Sequence, residues 1–221
     1  MEAPLVKLNN SCGSLCFPYN GKFGSEIRIH RIKRTKYMAE LVSVVGGGDF
    51  EVQLDLAIVS QELDADSITY EPEVFAGLYF KISESAPTTM VFSNGKFNIT
   101  GARDIEHLQD VHNKVVSELE AVIQSNIPEH QLYIHNLVYK KEYGRELALS
   151  QVAVGLGTEL TEYEPEQHPS IIYSPDDSDS GVLLIFNSGS IIATGFKEEK
   201  AAKTAINDIM KKLDTLFREA N

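Results

Sequence analysis

The sequence predicts an α+β fold built from two pseudo-symmetric repeats. Two observations predict it: the motif Tyr-Glu-Pro-Glu occurs at 70–73 and again at 163–166, and the same order of strand and helix patterns surrounds each copy. An internal match at a spacing of 93 residues indicates a structural repeat. We therefore predict one repeat at 38–125 and a second at 130–221, preceded by a basic N-terminal extension at 1–37.

Other short segments also pair between the halves, in the same order along the chain. The pairs are Leu41-Val42 with Leu137-Val138, Val91–Lys96 with Ile185–Ser190, and Thr100-Gly101 with Thr194-Gly195. Chance rarely preserves the order of several matches. These ordered matches therefore indicate that the two halves share one fold.

Each repeat begins with a strand of alternating pattern, at 38–45 and at 130–139, and continues with a short amphipathic helix. The helices are predicted at 54–63, with Leu54, Ile58, Val59 and Leu63 on one face, and at 147–156, with Leu147, Val152 and Leu156. Four short strands follow in each half, at 67–70, 78–82, 88–93 and 97–100, and at 161–163, 171–173, 182–187 and 190–194. Asn94-Gly95 is the strongest hairpin signal among their turns.

A long amphipathic helix closes each repeat. Its apolar positions recur at helical spacing, as Ile105, Leu108, Val111, Val115, Leu119 and Val122 in the first half and as Ala202, Ala205, Ile209, Leu213 and Leu216 in the second. Antiparallel strands covered by such helices form a layer with helices on one face. The opposite face of the sheet is then left open.

The charge of the chain is unevenly distributed. The net charge is −12, yet residues 1–37 hold seven Lys and Arg against two Glu, and the remaining residues hold 13 basic and 30 acidic side chains. Net negative charge argues against nucleic-acid binding, because phosphate neutralisation supplies most non-specific affinity. The acidic residues crowd into segments such as 104–120 and 176–179, so a neutral or basic surface elsewhere remains compatible with the total.

Composition indicates an intracellular globular protein. No run of eighteen apolar residues is present, and the first thirty residues lack the apolar block of a secretion signal. Cys12 and Cys16 are too few for a disulfide framework. We interpret them as reduced thiols in preference to a metal site completed by His30, and we predict no metal and no cofactor.

Aromatic residues recur in register with the repeat. Phe75 follows the first Tyr-Glu-Pro-Glu motif, and Phe92 and Phe186 directly precede the Asn/Ser-Gly turns. A Phe beside a turn is most often a core residue, but recurrence in register favours a shared role. With Glu162–Gln167, Leu184–Phe186, Thr194-Gly195 and Gly144–Leu147, the sequence resembles the TATA-box-binding proteins, archaeal ones in particular, over 38–221.

This resemblance implies a ten-stranded antiparallel, saddle-shaped sheet with four helices on its convex face. It implies that the concave face enters the DNA minor groove, that pairs of Phe wedge between base steps, and that transcription factor B is recruited. The wedge residues that the resemblance implies are Phe75, Phe92, His168 and Phe186, and the implied minor-groove contacts are Glu40, Val42, Met90, Asn98, Thr100, Asn136, Val138, Leu184, Ile192 and Thr194. The implied phosphate contacts are Lys81, Lys96, Arg103 and Lys197. The implied contacts with transcription factor B are Glu164, Glu166 and Gln167.

Several of these positions depart from the family pattern. Glu40 stands where the family has an Asn, Asn98 stands where it has an aliphatic residue, and His168 replaces a Phe. A carboxylate is an acceptor only, so it repels groove acceptors and phosphates. We hypothesise that Glu40 or Asn98 accepts from the 2-amino group of guanine, the one donor in the minor groove.

Phosphate-binding cations are concentrated in the first repeat. Ser174 and Ser190 stand in the second repeat where basic residues are expected, so we expect modest affinity. Two interpretations of the basic segment at 28–36 stay open: an arm that follows phosphates, or a solvated extension. The main functional alternative is a divergent paralogue with weak DNA binding that acts as a platform for protein interactions or as a competitor.

An enzymatic function is not supported. The six His are scattered without ligand spacing, and Gly46-Gly47-Gly48 lacks the Lys and the helix of a phosphate-binding loop, so we predict a flexible hairpin turn there. The expected partners are double-stranded promoter DNA, transcription factor B and, indirectly, the RNA polymerase machinery, with no membrane and with a possible homodimer when DNA is absent. The expected location is the archaeal nucleoid in the cytoplasm, or the nucleus in a eukaryote.

Overall fold

The computed structural model describes residues 38–175 and 181–219. Cys12, Cys16, His30, the basic segment at 28–36 and the acidic residues at 176–179 therefore lie outside the described residues. The strands are β1 (Glu40–Asp49), β2 (Ser67–Thr69), β3 (Gly77–Lys81), β4 (Thr88–Phe92), β5 (Lys96–Ala102), β6 (Leu132–Glu142), β7 (Thr161–Glu162), β8 (Ser170–Tyr173), β9 (Val182–Phe186) and β10 (Ser190–Phe196). The helices are α1 (Leu56–Glu62), α2 (Ile105–Ile123), α3 (Leu149–Leu156) and α4 (Glu199–Glu219).

All ten strands form one antiparallel sheet in the order β2-β3-β4-β5-β1-β6-β10-β9-β8-β7. The first strand of each half lies at the centre, where β1 pairs with β6 and joins the two halves. On either side, the remaining strands of each half follow in the same order outwards. This arrangement confirms the predicted α+β fold with two pseudo-symmetric repeats.

The core lies between one face of the sheet and the helices. Along β5, Phe97 and Ile99 are buried, whereas Asn98 between them is not. The same alternation continues in β9, where Leu183 and Ile185 are buried. Because side chains of a strand point alternately to its two faces, the buried set faces the helices and the other set faces away.

The predicted helix faces are largely correct, with two exceptions. Leu108, Val115 and Leu119 of α2 are buried, as are Ile209 and Leu213 of α4. Ile58 and Ile105, which the spacing places on the apolar face, are instead 47% and 45% exposed. Both residues lie in the first turn of a helix, just after the N-cap residues Asp55 and Asp104. The side chains of these two Asp accept hydrogen bonds from backbone N–H groups of that turn. Each helix therefore begins where its cap is, and its first turn projects from the core.

The three consecutive glycines do not form a turn, so that prediction was wrong. Gly46, Gly47 and Gly48 continue β1 and pair on one side with β5 and on the other with β6. A Cβ on Gly46 would meet Leu108 of α2 at 2.5 Å. Cβ atoms on the next two glycines would collide with the backbone carbonyls of Phe97 in β5 and of Gln131 just before β6. Close approach on both sides of a central strand explains the glycines.

The predicted hairpin turn at Asn94-Gly95 is present and has an equivalent in the second repeat. The N–H of Gly95 donates to the carbonyl of Phe92, and the N–H of Gly189 donates to that of Phe186. Both glycines have φ of +88°. Each turn is also hydrogen-bonded to the segment after the first strand of its repeat. The N–H of Phe50 donates to the carbonyl of Gly95, and the N–H of Tyr143 donates to the carbonyl of Gly189.

His112, a buried residue of α2, pairs with the half-buried His130. The Nε2 atoms of His112 and His130 are 2.8 Å apart, and His130 Nδ1 is 2.7 Å from the Pro128 carbonyl. His130 Nδ1 therefore donates to Pro128, so its Nε2 accepts from His112. Both rings pack around Phe50 and Phe97, whose stacked ring centroids are 4.0 Å apart. The hydrogen bond between the two histidines needs one Nε2 without a proton, so it is lost when both rings are protonated.

We expect the fold to lose stability in mild acid because of this pair. Burial is the main cause that lowers the pKa of His112, with a smaller contribution from His130. A lowered pKa in the folded state means that the unfolded chain binds protons first, so this stabilisation is present above about pH 6.5 and is lost as the pH falls. Urea unfolding at pH 7.5 and at pH 5.0 measures the loss, which should be smaller in His112→Gln. In the control His135→Gln, on the exposed face of β6, the loss should match that of the native chain.

Candidate nucleic-acid interface

The face of the sheet turned away from the helices, called here the open face, carries the alternating residues that are not buried in the core. All ten predicted groove residues lie on it. Register supports this assignment: Met90 pairs with Asn98, and Leu184 pairs with Ile192, each within the same unburied set. Val42 is 41% exposed. The open face is thus an aliphatic surface with interspersed hydroxyl, amide and charged groups.

Asn136 is the most firmly positioned polar side chain on the open face. Its Oδ1 accepts the Gly195 N–H at 2.7 Å, and its Nδ2 donates to Thr194 Oγ1 at 3.2 Å. The backbone donor fixes which end of the amide is oxygen. One N–H of Nδ2 therefore remains to donate to a ligand acceptor.

Glu40, the repeat-one counterpart of Asn136, has different surroundings. It is exposed and lies directly opposite Lys140 of β6 in the strand register. The Lys140 ammonium is 3.1 Å from the Glu142 carboxylate. Three charged side chains therefore stand together near the middle of the open face, here called the central charged group: Glu40, Lys140 and Glu142.

Asn98, the other departure in repeat one, is folded onto the sheet. Its Oδ1 occupies the space beside Gly47 that a Cβ would otherwise take. The glycine and the amide are thus complementary in shape. The amide is half-buried, whereas Glu40 is exposed.

The aromatic residues of repeat one form a cluster near one end of the open face. The Phe75 ring is 5.8 Å from the Phe92 ring and 4.9 Å from the Tyr79 ring, centroid to centroid. Gly77 allows this approach, because a Cβ there would meet Phe75 at 2.5 Å. Phe75 and Phe92 are both half-buried, so each ring keeps an accessible surface.

The corresponding group in repeat two is more polar. His168 and Phe186 are half-buried, and His168 Nδ1 lies 2.8 Å from Ser170 Oγ. A ring held by a hydroxyl group offers less apolar surface than a Phe. The two ends of the open face are therefore chemically unequal.

The four predicted phosphate contacts lie on strands β3 and β5 or just after β5 and β10. Lys96, Arg103 and Lys197 are exposed, and Lys81 is half-buried. Lys96 begins β5, and Ser190 begins the equivalent strand β10. Three of the four cations therefore belong to repeat one.

The two Tyr-Glu-Pro-Glu loops adopt the same turn. The backbone carbonyl of Glu71 accepts hydrogen bonds from the N–H groups of Val74 and Phe75 at 2.9 Å. The backbone carbonyl of Glu164 accepts those from Gln167 and His168, also at 2.9 Å. The Gln167 amide also donates to the Glu164 carboxylate. Glu166 is exposed beside them, whereas the first loop presents Val74, which is 80% exposed.

Sequence reasoning missed two residues at this surface. Lys140 follows Asn136 and Val138 at intervals of two in β6, so strand alternation alone would have found it. Tyr79, which is 37% exposed, pairs with Met90 and stacks on Phe75. Its position becomes evident only once the register of β3 against β4 is known.

The described part of the chain contains neither a metal-binding cluster nor a membrane-spanning helix. No three His, Cys, Asp or Glu side chains between 38 and 175 or between 181 and 219 are grouped to hold a metal ion. Within the same ranges, no helix is long and apolar enough to span a bilayer.

Comparisons with known proteins agree with this geometry. The sequence model of the family described as "Transcription factor TFIID (or TATA-binding protein, TBP)" matches residues 38–122 and 131–216. TATA-box-binding protein C of Halobacterium salinarum is 31% identical over 80% of this chain and 98% of its own, and the TATA-box-binding protein of Thermoplasma acidophilum is 33% identical over 77% and 91%. The solved structure of Methanococcus jannaschii TBP is similar at a TM-score of 0.70, with 34% identity, over 80% of this chain and 98% of its own.

Proposed function

The chain belongs to the TATA-box-binding protein family, and from this premise we propose that its open face binds the minor groove of A·T-rich promoter DNA and bends it. The family consists of DNA-binding transcription factors, not enzymes, and its archaeal members support a general role in transcription. The observation that carries the proposal is the open face itself. It combines aliphatic side chains with an amide donor held in place by Gly195 and Thr194.

The chemistry of this surface suits an A·T-rich minor groove. Both A·T and T·A present only acceptors there, A N3 and T O2. The remaining Asn136 N–H and the Thr194 and Thr100 hydroxyl groups supply donors, and Val42, Val138, Leu184 and Ile192 supply aliphatic contact with the sugar and base edges. A surface of this kind fits the groove floor without needing a net positive charge.

The spacing of the aromatic groups supports a short binding site. Phe92 of β4 and Phe186 of β9 are five strand spacings apart, about 24 Å at about 4.8 Å per strand, and about seven base steps at 3.4 Å each. Wedge insertion between base steps is the known binding mode of this family, and we propose the same mode for this chain. Phe75 with Phe92, and His168 with Phe186, would then unstack the steps at the two ends.

A gel shift with a TATA-containing duplex, with and without transcription factor B, tests the proposal. We expect a shift that strengthens when the factor is added, and no shift with a G·C duplex of the same length. The absence of a shift in every lane would overturn the proposal. The expected place of action is the promoter, in the archaeal nucleoid or in a eukaryotic nucleus.

The alternative function is a protein-interaction platform or competitor with weak DNA binding. The central charged group favours it, because Glu40 and Glu142 lie on the face that would meet phosphates and groove acceptors. His168 in place of a Phe points the same way. In this case transcription factor B would bind the free protein, but the TATA duplex would not shift.

The salt dependence of DNA binding should increase with the number of Lys and Arg side chains that contact phosphates. Each phosphate contact adds about 0.9 to the slope of log affinity against log salt, so Lys96→Ala should reduce its magnitude by about 0.9. Ser190→Lys restores a cation at the equivalent position of repeat two and should increase it by about 0.9. Titrations between 50 and 300 mM salt measure both slopes. Lys114→Ala, on the exposed side of α2, should leave the slope unchanged.

We expect the second-repeat loop to contact transcription factor B through Glu164, Glu166 and Gln167. Replacing both acids by Lys should abolish the supershift by the factor without reducing the binary shift. The first-repeat loop has the same turn and two matching acids, so Glu71→Lys with Glu73→Lys is the matched control and should keep the supershift. Equal loss in the two variants would argue for a general charge effect.

A further inference from the structure

Glu40 and Asn136 occupy equivalent positions in the two repeats, but they have opposite hydrogen-bonding capacity. We propose that Glu40 binds a guanine in the minor groove, so that the preferred DNA site has one G·C pair under repeat one, near its middle, and only A·T pairs under repeat two. This inference rests on the proposed function. It adds a rule of base recognition and a fixed orientation of binding.

Glu40 and Asn136 recognise different base pairs because one side chain accepts hydrogen bonds and the other donates them. The Asn136 amide turns its oxygen towards Gly195 and one N–H of Nδ2 towards Thr194, so its second N–H is a donor for DNA, where A N3 and T O2 are the acceptors. The Glu40 carboxylate can only accept. In the minor groove the single donor is the 2-amino group of guanine, so a G·C pair is the one base pair that satisfies Glu40.

Glu40 is the better of the two acceptors in repeat one. The Asn98 amide is half-buried, with its Oδ1 against Gly47. The Glu40 side chain is exposed on the open face and has no hydrogen bond or ion pair with another residue in the described part of the chain. It is therefore available to a ligand without first breaking a contact.

Lys140 offsets part of the charge of the central charged group, which holds two carboxylates against one ammonium. It lies opposite Glu40 on the neighbouring central strand, and its ammonium group is 3.1 Å from Glu142. A cation beside the carboxylate lowers the repulsion between Glu40 and the phosphates. The ammonium can also donate to cytosine O2, the acceptor of the same G·C pair.

The position of the two strands locates the pair within the site. β1 and β6 are the central strands of the sheet, and the aromatic groups lie on the outer strands and loops on either side. Glu40 therefore meets a base pair near the middle of the site, on the repeat-one side. Since its counterpart Asn136 requires an acceptor, the two half-sites are not interchangeable, and the protein binds in one orientation.

Duplexes with single changes at the middle positions of a TATA-type site test this directly. Each position carries A·T, G·C, inosine·C or 2,6-diaminopurine·T in turn, because inosine lacks the 2-amino group of guanine and diaminopurine adds it to adenine. At one position, G·C and diaminopurine·T should bind about tenfold more tightly than A·T and inosine·C. Glu40→Asn, which makes the repeats alike, should abolish or reverse this preference. The control Glu62→Gln removes the same charge from α1 and should keep it.

Two results would overturn the inference while leaving the proposed function intact: equal binding of G·C and inosine·C at every middle position, or an unchanged preference in Glu40→Asn. Binding of no duplex at all would instead contradict the proposed function. Glu40 is exposed, so both variants should fold, and their melting temperatures check this.

Discussion

Phe92→Ala is expected to weaken binding to a TATA-containing duplex by about 30- to 100-fold and to reduce the bend of the bound DNA. Unstacking a base step costs a few kcal/mol, and an inserted ring replaces the lost stacking. Phe92 packs against Phe75, so its removal also takes away one of the two aromatic neighbours of that ring, the other being Tyr79. Energy transfer between dyes at the two duplex ends, measured at saturating protein, reports the bend independently of affinity.

A substitution in the second repeat should have the opposite effect to Phe92→Ala. His168→Phe makes the repeat-two group resemble that of repeat one and should increase both affinity and bend, because a Phe offers more apolar surface than a ring held by Ser170. Thermal melting of the Phe92→Ala and His168→Phe proteins checks that the fold is retained.

An unchanged bend in Phe92→Ala would show that the Phe92 ring is a packing residue and not a wedge.

The second large effect concerns stability: Gly95→Ala should lower the free energy of unfolding by about 3 kcal/mol or more. Gly95 has φ of +88°, a left-handed conformation that costs a non-glycine residue about 1–2 kcal/mol. A Cβ there would also collide with the carbonyl oxygen of Val52, which belongs to backbone and cannot rotate away. Strain and collision therefore add.

A matched control separates these two contributions. Gly101 has φ of +97°, and a Cβ on it would have no atom within 4 Å. Gly101→Ala should therefore cost only the conformational part, about 1–2 kcal/mol. Urea unfolding of the two variants measures both values. Equal losses would mean that the loop of Val52 moves aside freely.

Much of the fold could be predicted because it depends on local patterns. Each of the fourteen predicted elements has an observed counterpart, since short strands bounded by Gly, Asn and Pro and long helices of period 3.6 carry strong signals. The assignment of Gly46–Gly48 to a turn was wrong because the reason for these glycines is not local. They are required by the closeness of α2 and of the strands on both sides, which no single-sequence pattern records.

The candidate site was less accessible to sequence reasoning than the fold. The repeat and the family resemblance indicated Asn136 and the Phe residues, but the hydrogen bonds that orient Asn136 come from β10, 58 and 59 residues away in sequence. Lys140 was missed although it alternates with Asn136 and Val138. Its importance depends on the pairing of β1 with β6, which brings Glu40 opposite it.

The edges of the sheet explain how so wide a surface avoids an unwanted form of assembly. An open antiparallel sheet exposes unpaired N–H and C=O groups along its outer strands, and such edges can recruit strands from other molecules and grow into fibrils. Among the described residues the outer strands are β2 and β7, of three and two residues. So short an edge offers an incoming strand very few hydrogen bonds, whereas the eight strands between them are paired on both sides. The sheet thus combines a broad open face with edges too short to template aggregation.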